Sequence, residues 1–151
     1  MRMKKSMVAL AALSILQLQA GGWSDAKDIA NGKNLFANNC ATCHGPEGIG
    51  PQSPALKKKR TDGKYQPPAL NGTAHTWHHA PDLLRNIIAK GGKSYGKGYD
   101  GWMPEYDKTL TQKQRDDILK YVHSLWPEKI KKMYDKRFGI ETSPSSGFVW
   151  K

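Results

Sequence analysis

The sequence predicts an all-α domain of three to four helices joined by long loops rich in glycine and proline. Three observations carry this reading. Apolar residues recur at helical spacing in separate stretches, and no segment alternates with the period of a strand. Helix start and stop signals bracket those stretches. Between them, 15 glycines and 9 prolines punctuate a chain of 151 residues, densely so over residues 45–76. Only 38% of residues are hydrophobic, yet there are 14 Trp, Tyr and Phe residues and apolar residues cluster, so the chain is poor in core material without being disordered by composition. No apolar run reaches the ~18–20 residues needed to span a bilayer. The presence of only two cysteines excludes a disulfide scaffold. What remains is a small, loop-rich domain that needs additional material in its interior.

Residues 1–20 have the form of a secretory signal. Arg2, Lys4 and Lys5 make a positive start, residues 7–18 are a short apolar stretch, and Ala20-Gly21-Gly22 offers a cleavage site, with a cut as late as Ala26 also allowed. An uncleaved N-terminal anchor is the alternative. Cleavage removes those three positive charges from a formal net charge of +11, so the mature chain stays basic. Export places it in the periplasm of a Gram-negative type of cell, away from nucleic acid. No stable membrane insertion is expected of the mature chain.

Residues 21–127 form the predicted domain. A first helix covers 25–40, capped by Ser24 or Asp25, with Ile29, Gly32, Phe36 and Cys40 along one side. A second covers 81–90: Pro81 suits its first turn, Asp82 its positive end, Leu83, Leu84, Ile87 and Ile88 make a face, and Gly91 stops it. Residues 91–104 are a glycine-rich loop ending in Trp102-Met103-Pro104. A third helix covers 111–126, opened by a Thr111/Gln114 capping box and lined by Ile118, Val122 and Leu125. Residues 128–151 are a C-terminal extension, helical over 128–138 through Ile130, Met133, Tyr134 and Phe138, and then a tail.

The chemistry is carried by Cys40-Ala41-Thr42-Cys43-His44, a C-x-x-C-H motif. Thiols three positions apart lie about one helical turn apart. That spacing suits two thioether bonds along one edge of a macrocycle, with the adjacent imidazole ligating the iron. A bare C-x-x-C serves zinc, a redox dithiol or haem. Zinc asks for four ligands, and this motif supplies three. A thioredoxin-like pair asks for a βαβ setting that is absent from the pattern. The added histidine, the export signal and the lack of other cysteines favour one covalently attached haem c, with a disulfide or redox dithiol as the alternative. A buried macrocycle would also supply the apolar interior that the composition lacks.

On these residues the chain resembles a class I c-type cytochrome of bacterial type over residues 25–127. Gly32-x-x-x-Phe36-x-x-x-Cys40 is similar to the family's first helix, which implies packing of Gly32 and Phe36 against Ile118 and Tyr121 on the last helix of the domain. The resemblance implies the cytochrome c fold, wrapped around one covalently bound haem. It also implies that Met103, followed by Pro104, is the second axial ligand beside His44, and that a proline carbonyl receives the other ring nitrogen of His44. Pro68 is the favoured donor of that carbonyl and Pro54 its rival. Among methionines beyond the signal, Met133 follows the last core helix and reads as packing.

Several residues leave alternatives open. Trp77 and Trp102 read as haem-pocket walls or propionate donors, or as plain core. His75, His78 and His79 read as surface residues or propionate partners, or else as a second metal site for copper or zinc or a distal haem ligand. His123 reads as solvent-facing or internally satisfied. The run Lys57-Lys58-Lys59-Arg60, with Lys90, Lys93, Lys97 and Lys108, reads as a solvated surface or as a collar steering redox partners with acidic docking surfaces. The resulting expectation is an exported monohaem electron carrier, not an enzyme. It would move electrons by outer-sphere transfer between respiratory partners such as a respiratory complex, a terminal oxidase or a dehydrogenase. The alternatives are a haem subunit of a redox enzyme or a sensor with a labile distal ligand, and a copper-handling accessory protein.

Overall fold

The structure is a computed structural model that describes residues 25–51, 66–96 and 103–140. The expected signal segment, the run 57–60, Pro54, Lys97, Trp102 and the final tail all lie outside the described residues. Among the described residues all regular structure is helical. Helix α1 spans Ala26–Asn39, α2 is the single turn Ala41–His44, α3 spans Pro81–Lys90, α4 Gln112–Ser124 and α5 Glu128–Phe138. Short 3-10 turns lie at Pro46–Gly48, Thr76–His78 and Gly91–Tyr95. The count exceeds the expected three to four because the attachment motif winds a turn of its own after Cys40 (φ −117°, ψ −35°).

The helix ends follow their sequence signals. Asp25 caps α1, accepting from the backbone N–H groups of Lys27 and Asp28. Thr111 and Gln114 form the reciprocal capping box of α4. Pro81 opens α3 and Gly91, at φ +60°, closes it.

The central contact is α1 on α4. Gly32 lies so close to α4 that a Cβ placed on it would sit 1.9 Å from the Asp117 carbonyl oxygen and 3.0 Å from Tyr121 Cβ. One turn on, the Phe36 ring meets the Tyr121 ring edge-on at 5.4 Å. Phe36, Ile118 and Val122 are buried there. Leu84, Ile87 and Ile88 of α3 complete the core on another side. Polar groups seal the crossing. Asp117, fully buried, accepts from Asn31 at 2.7 Å and Lys113 at 2.6 Å, and Asp28 pairs with Lys113 and Lys120. Burial opposes ionisation of Asp28, but the two ammonium groups outweigh it and hold the carboxyl below its ordinary range.

Helix α5 belongs to the same core. Tyr134 is 1% exposed and Ile140 is buried; the Tyr134 ring meets Trp126 at 4.8 Å and Phe138 at 4.7 Å. His123 is buried and satisfied, its Nε2 2.8 Å from Asp135. Met133, expected to pack, is 45% exposed instead. The helix turns Tyr134 inward, and Met133, about 100° round the helix from it, emerges into solvent. Among the described residues no helix is long and apolar enough to cross a membrane.

Candidate haem-attachment site

The attachment turn is built from the end of α1. Cys40 N–H still bonds to the Phe36 carbonyl, while the Cys43 and His44 N–H groups both return to the Cys40 carbonyl. Gly45, at φ +76°, ends the turn and lets the chain fold back, so that Gly50 N–H donates to the His44 carbonyl at 2.7 Å. A second segment is laid on this loop: the N–H groups of Leu70 and Asn71 both donate to the Gly48 carbonyl. This apposition brings the Pro68 carbonyl oxygen 2.9 Å from His44 Nδ1. The segment is held from behind by the Trp126 indole, whose N–H donates to the Leu70 carbonyl at 2.8 Å.

The bond to Pro68 fixes the proton on Nδ1 and leaves Nε2 as the ligating nitrogen. Burial pushes the His44 imidazole below the ordinary histidine range, against the raising effect of the Pro68 carbonyl. The ring is therefore neutral near pH 7, the form that binds metal.

Cys40 and Cys43 are both free and partly buried. Burial, with Cys43 adding to it, pushes the Cys40 thiol up to about 11. A redox dithiol needs the opposite shift, toward thiolate at neutral pH. Two thiols about a turn apart, that of Cys40 held protonated, followed by an oriented imidazole, fit a macrocycle bound through two thioether bonds and one nitrogen. His44 and the two cysteines are the residues that would hold it.

The Met103 arm is fastened at several points. The Met103 carbonyl accepts from Gly92 N–H at 3.0 Å. Tyr106 and Asp107 N–H groups bond to the carbonyls at the end of α3, and the Tyr106 hydroxyl donates to the Asn39 carbonyl at 2.7 Å, next to Cys40. Met103 itself is half-buried and packs against the core. Gly91 makes the fit possible: a Cβ there would lie 2.2 Å from the Met103 carbonyl oxygen and 2.7 Å from that of Pro104. The latch through Tyr106 and the close approach at Gly91 were not read from sequence. Tyr106 lies three residues after Met103 and offered an aromatic hydroxyl as its only signal, and Gly91 read simply as a helix stop.

Trp77 is half-buried, its ring in edge contact with His78 at 3.8 Å. Of the three histidines read as a second metal site, a distal ligand, propionate partners or plain surface, His78 leans on Trp77 while His75 and His79 lie ring to ring at 5.5 Å. Burial, with His75 and His78 beside it, pushes the His79 imidazole below the ordinary histidine range. Among the described residues no three His, Cys, Asp or Glu side chains are arranged to hold a metal ion. Lys90 and Lys93, read as part of a cationic collar, are paired with Asp107 and Glu105.

The sequence profile of the cytochrome c family matches residues 29–126, from α1 to Trp126. The chain belongs to the cytochrome c family. Its cofactor is accordingly covalently bound haem c, its fold the all-α cytochrome c fold and its work haem-based electron transfer. This cytochrome c is 29% identical over 136 residues to a cbb3-type cytochrome c oxidase subunit, FixP, of Bradyrhizobium diazoefficiens; the alignment covers 88% of the chain and 42% of that relative. The chain thus spans about two fifths of the relative's length. No solved structure matches the cytochrome.

Proposed function

We propose that the chain is an exported electron carrier whose haem iron is held between His44 and Met103, and that it shuttles single electrons between respiratory partners by outer-sphere transfer. The haem supplies the one-electron couple; the polypeptide supplies axial ligands, orientation and a low-dielectric surround. The observation that carries the reading is the hydrogen bond from His44 Nδ1 to Pro68, which presets the ring as a nitrogen ligand. The fastening of the Met103 arm supports a firm second ligand, and a thioether there raises the potential. Two held axial ligands keep reorganisation small and leave no open position for substrate, which suits a carrier rather than an enzyme. The basic chain favours partners with acidic docking surfaces.

The test is an optical spectrum of the purified holoprotein, oxidised and reduced, with a pyridine haemochrome assay and carbon monoxide added to the reduced form. One haem c per chain, a weak long-wavelength band in the oxidised form and no carbon monoxide adduct are expected. In Met103→Ala the band disappears, the potential falls and carbon monoxide binds. An unchanged spectrum in that variant would refute Met103 as ligand.

The likeness to a cbb3 oxidase subunit favours a second reading, in which the chain delivers electrons as a bound subunit of an oxidase. Co-purification with an oxidase from solubilised membranes separates this from a freely diffusing carrier.

A further inference from the structure

Helix α5 lies beyond the cytochrome c match, and its outer face carries a charge pattern that electron transfer does not explain. Lys129, Lys132, Met133, Lys136 and Arg137 recur at i, i+3, i+4, i+7 and i+8, the spacing of a single helical stripe. All are exposed. Their opposite face is fixed by buried Tyr134, so the stripe is held outward by the core. Of the two carboxylates of the helix, Asp135 is turned in to His123, and Glu128 pairs with Lys131, with Lys132 near enough to help hold its carboxyl below the usual range. Among the described residues no carboxylate pairs with Lys129, Lys132, Lys136 or Arg137; Arg137 rests instead over the Phe138 ring at 5.2 Å. Elsewhere Lys90, Lys93, Lys113, Lys120 and Arg85 each meet an acidic partner, whereas Lys27, Lys33 and Lys108 are exposed without one among the described residues. The densest group of exposed unpaired cations among the described residues thus lies on this helix, around one exposed apolar side chain.

We propose that this face of α5 is a peripheral docking surface for a phospholipid bilayer rich in anionic headgroups. Charge complementarity favours an anionic surface of some kind. The composition favours lipid over protein: lysine is depleted at the centre of protein interfaces, which rely on aromatic anchors, and this stripe is mostly lysine and exposes no aromatic ring at its centre. Clustered lysine and arginine with flexible stems match a bed of mobile phosphates, and Met133 amid them can enter the headgroup region. Such contact tethers without insertion and stands independently of the choice of axial ligands.

The test is co-sedimentation of the holoprotein with vesicles of phosphatidylglycerol and phosphatidylethanolamine, against vesicles of phosphatidylcholine alone. Binding to the anionic vesicles only is expected, weakening strongly between ~50 and ~200 mM salt. Lys132→Glu/Lys136→Glu should lower the partition coefficient about tenfold or more. Lys27→Glu/Lys33→Glu, with the same change in total charge on the exposed side of α1, should lower it much less. Unchanged haem spectra and melting temperatures identify both variants as folded. Equal losses in the two variants would show that net charge alone is responsible, and absence of binding by the wild type would refute the tether. Binding to polyglutamate without partition onto anionic vesicles would assign the face to an acidic protein and overturn the proposal.

Discussion

Replacing Gly32 by alanine tests the helix crossing on which the domain is built. The added carbon would fall 1.9 Å from the Asp117 carbonyl oxygen and 2.5 Å from the carbonyl carbon, whereas ordinary contact begins near 3.4 Å. The obstacle is backbone, so no rotamer change relieves it, and α1 and α4 must part by about 1.5 Å. A gap of ~0.5–1 Å already forfeits a quarter to a half of a dispersion contact, and this gap opens over Phe36, Ile118 and Val122. Overpacking of this severity costs about 3 kcal/mol. Alanine regains about 1 kcal/mol of helix propensity. The net loss is about 2 kcal/mol, or about 10 °C in melting temperature for a domain of this size. The assay is thermal unfolding of the holoprotein followed by far-ultraviolet circular dichroism, with Lys33→Ala on the exposed side of α1 as reference. Lys33→Ala should melt within ~2 °C of the wild type, since exposed substitutions change little. A Gly32→Ala protein that melts at or above the wild type would show that the helices do not meet here.

Two further outcomes follow from geometry and charge. Gly91→Ala should push the Met103 arm off the end of α3 and let carbon monoxide bind the reduced holoprotein; Gly96→Ala, also at positive φ but with nothing within 4 Å of its Cβ, should cost only local strain and keep carbon monoxide out. The native pKa of Asp28 is depressed, so its contribution to stability is complete above its unfolded value of about 4 and is lost as pH falls through the lower native value. Urea midpoints measured from pH 6 downward should therefore decline less steeply in acid for Asp28→Asn than for the wild type, and parallel curves would refute the assignment.

Local signals carried much of the fold. The Thr111/Gln114 box, Asp25, Pro81 and Gly91 mark helix ends because each satisfies or terminates backbone hydrogen bonding within a few residues. The same holds for Cys40, Cys43 and His44, whose chemistry resides in their spacing. The pairing of His44 with Pro68 spans 24 residues and followed from resemblance rather than from any local rule. Relations set by tertiary contact were less legible. Met133 and Tyr134 both fit an apolar face on periodicity, and only the pocket beside Trp126 and Phe138 decides that Tyr134 is the buried one. Lys90 and Lys93 read as free charge until Asp107 and Glu105 came beside them from a distant part of the chain. The spacing of His75, His78 and His79 likewise said nothing of their tertiary surroundings, in which His78 leans on Trp77 and His75 meets His79.

The bond between Gly92 N–H and the Met103 carbonyl joins two points eleven residues apart in the sequence, and the ion pair of Lys93 with Glu105 reinforces the join. The intervening sequence can then vary in length without moving the Met103 backbone, because each doubling of a closed loop costs only about 0.6 kcal/mol. This gives the domain a site for grafting. A recognition peptide could be spliced between Gly96 and Met103 while the Tyr106 latch and the Gly91 contact keep their register.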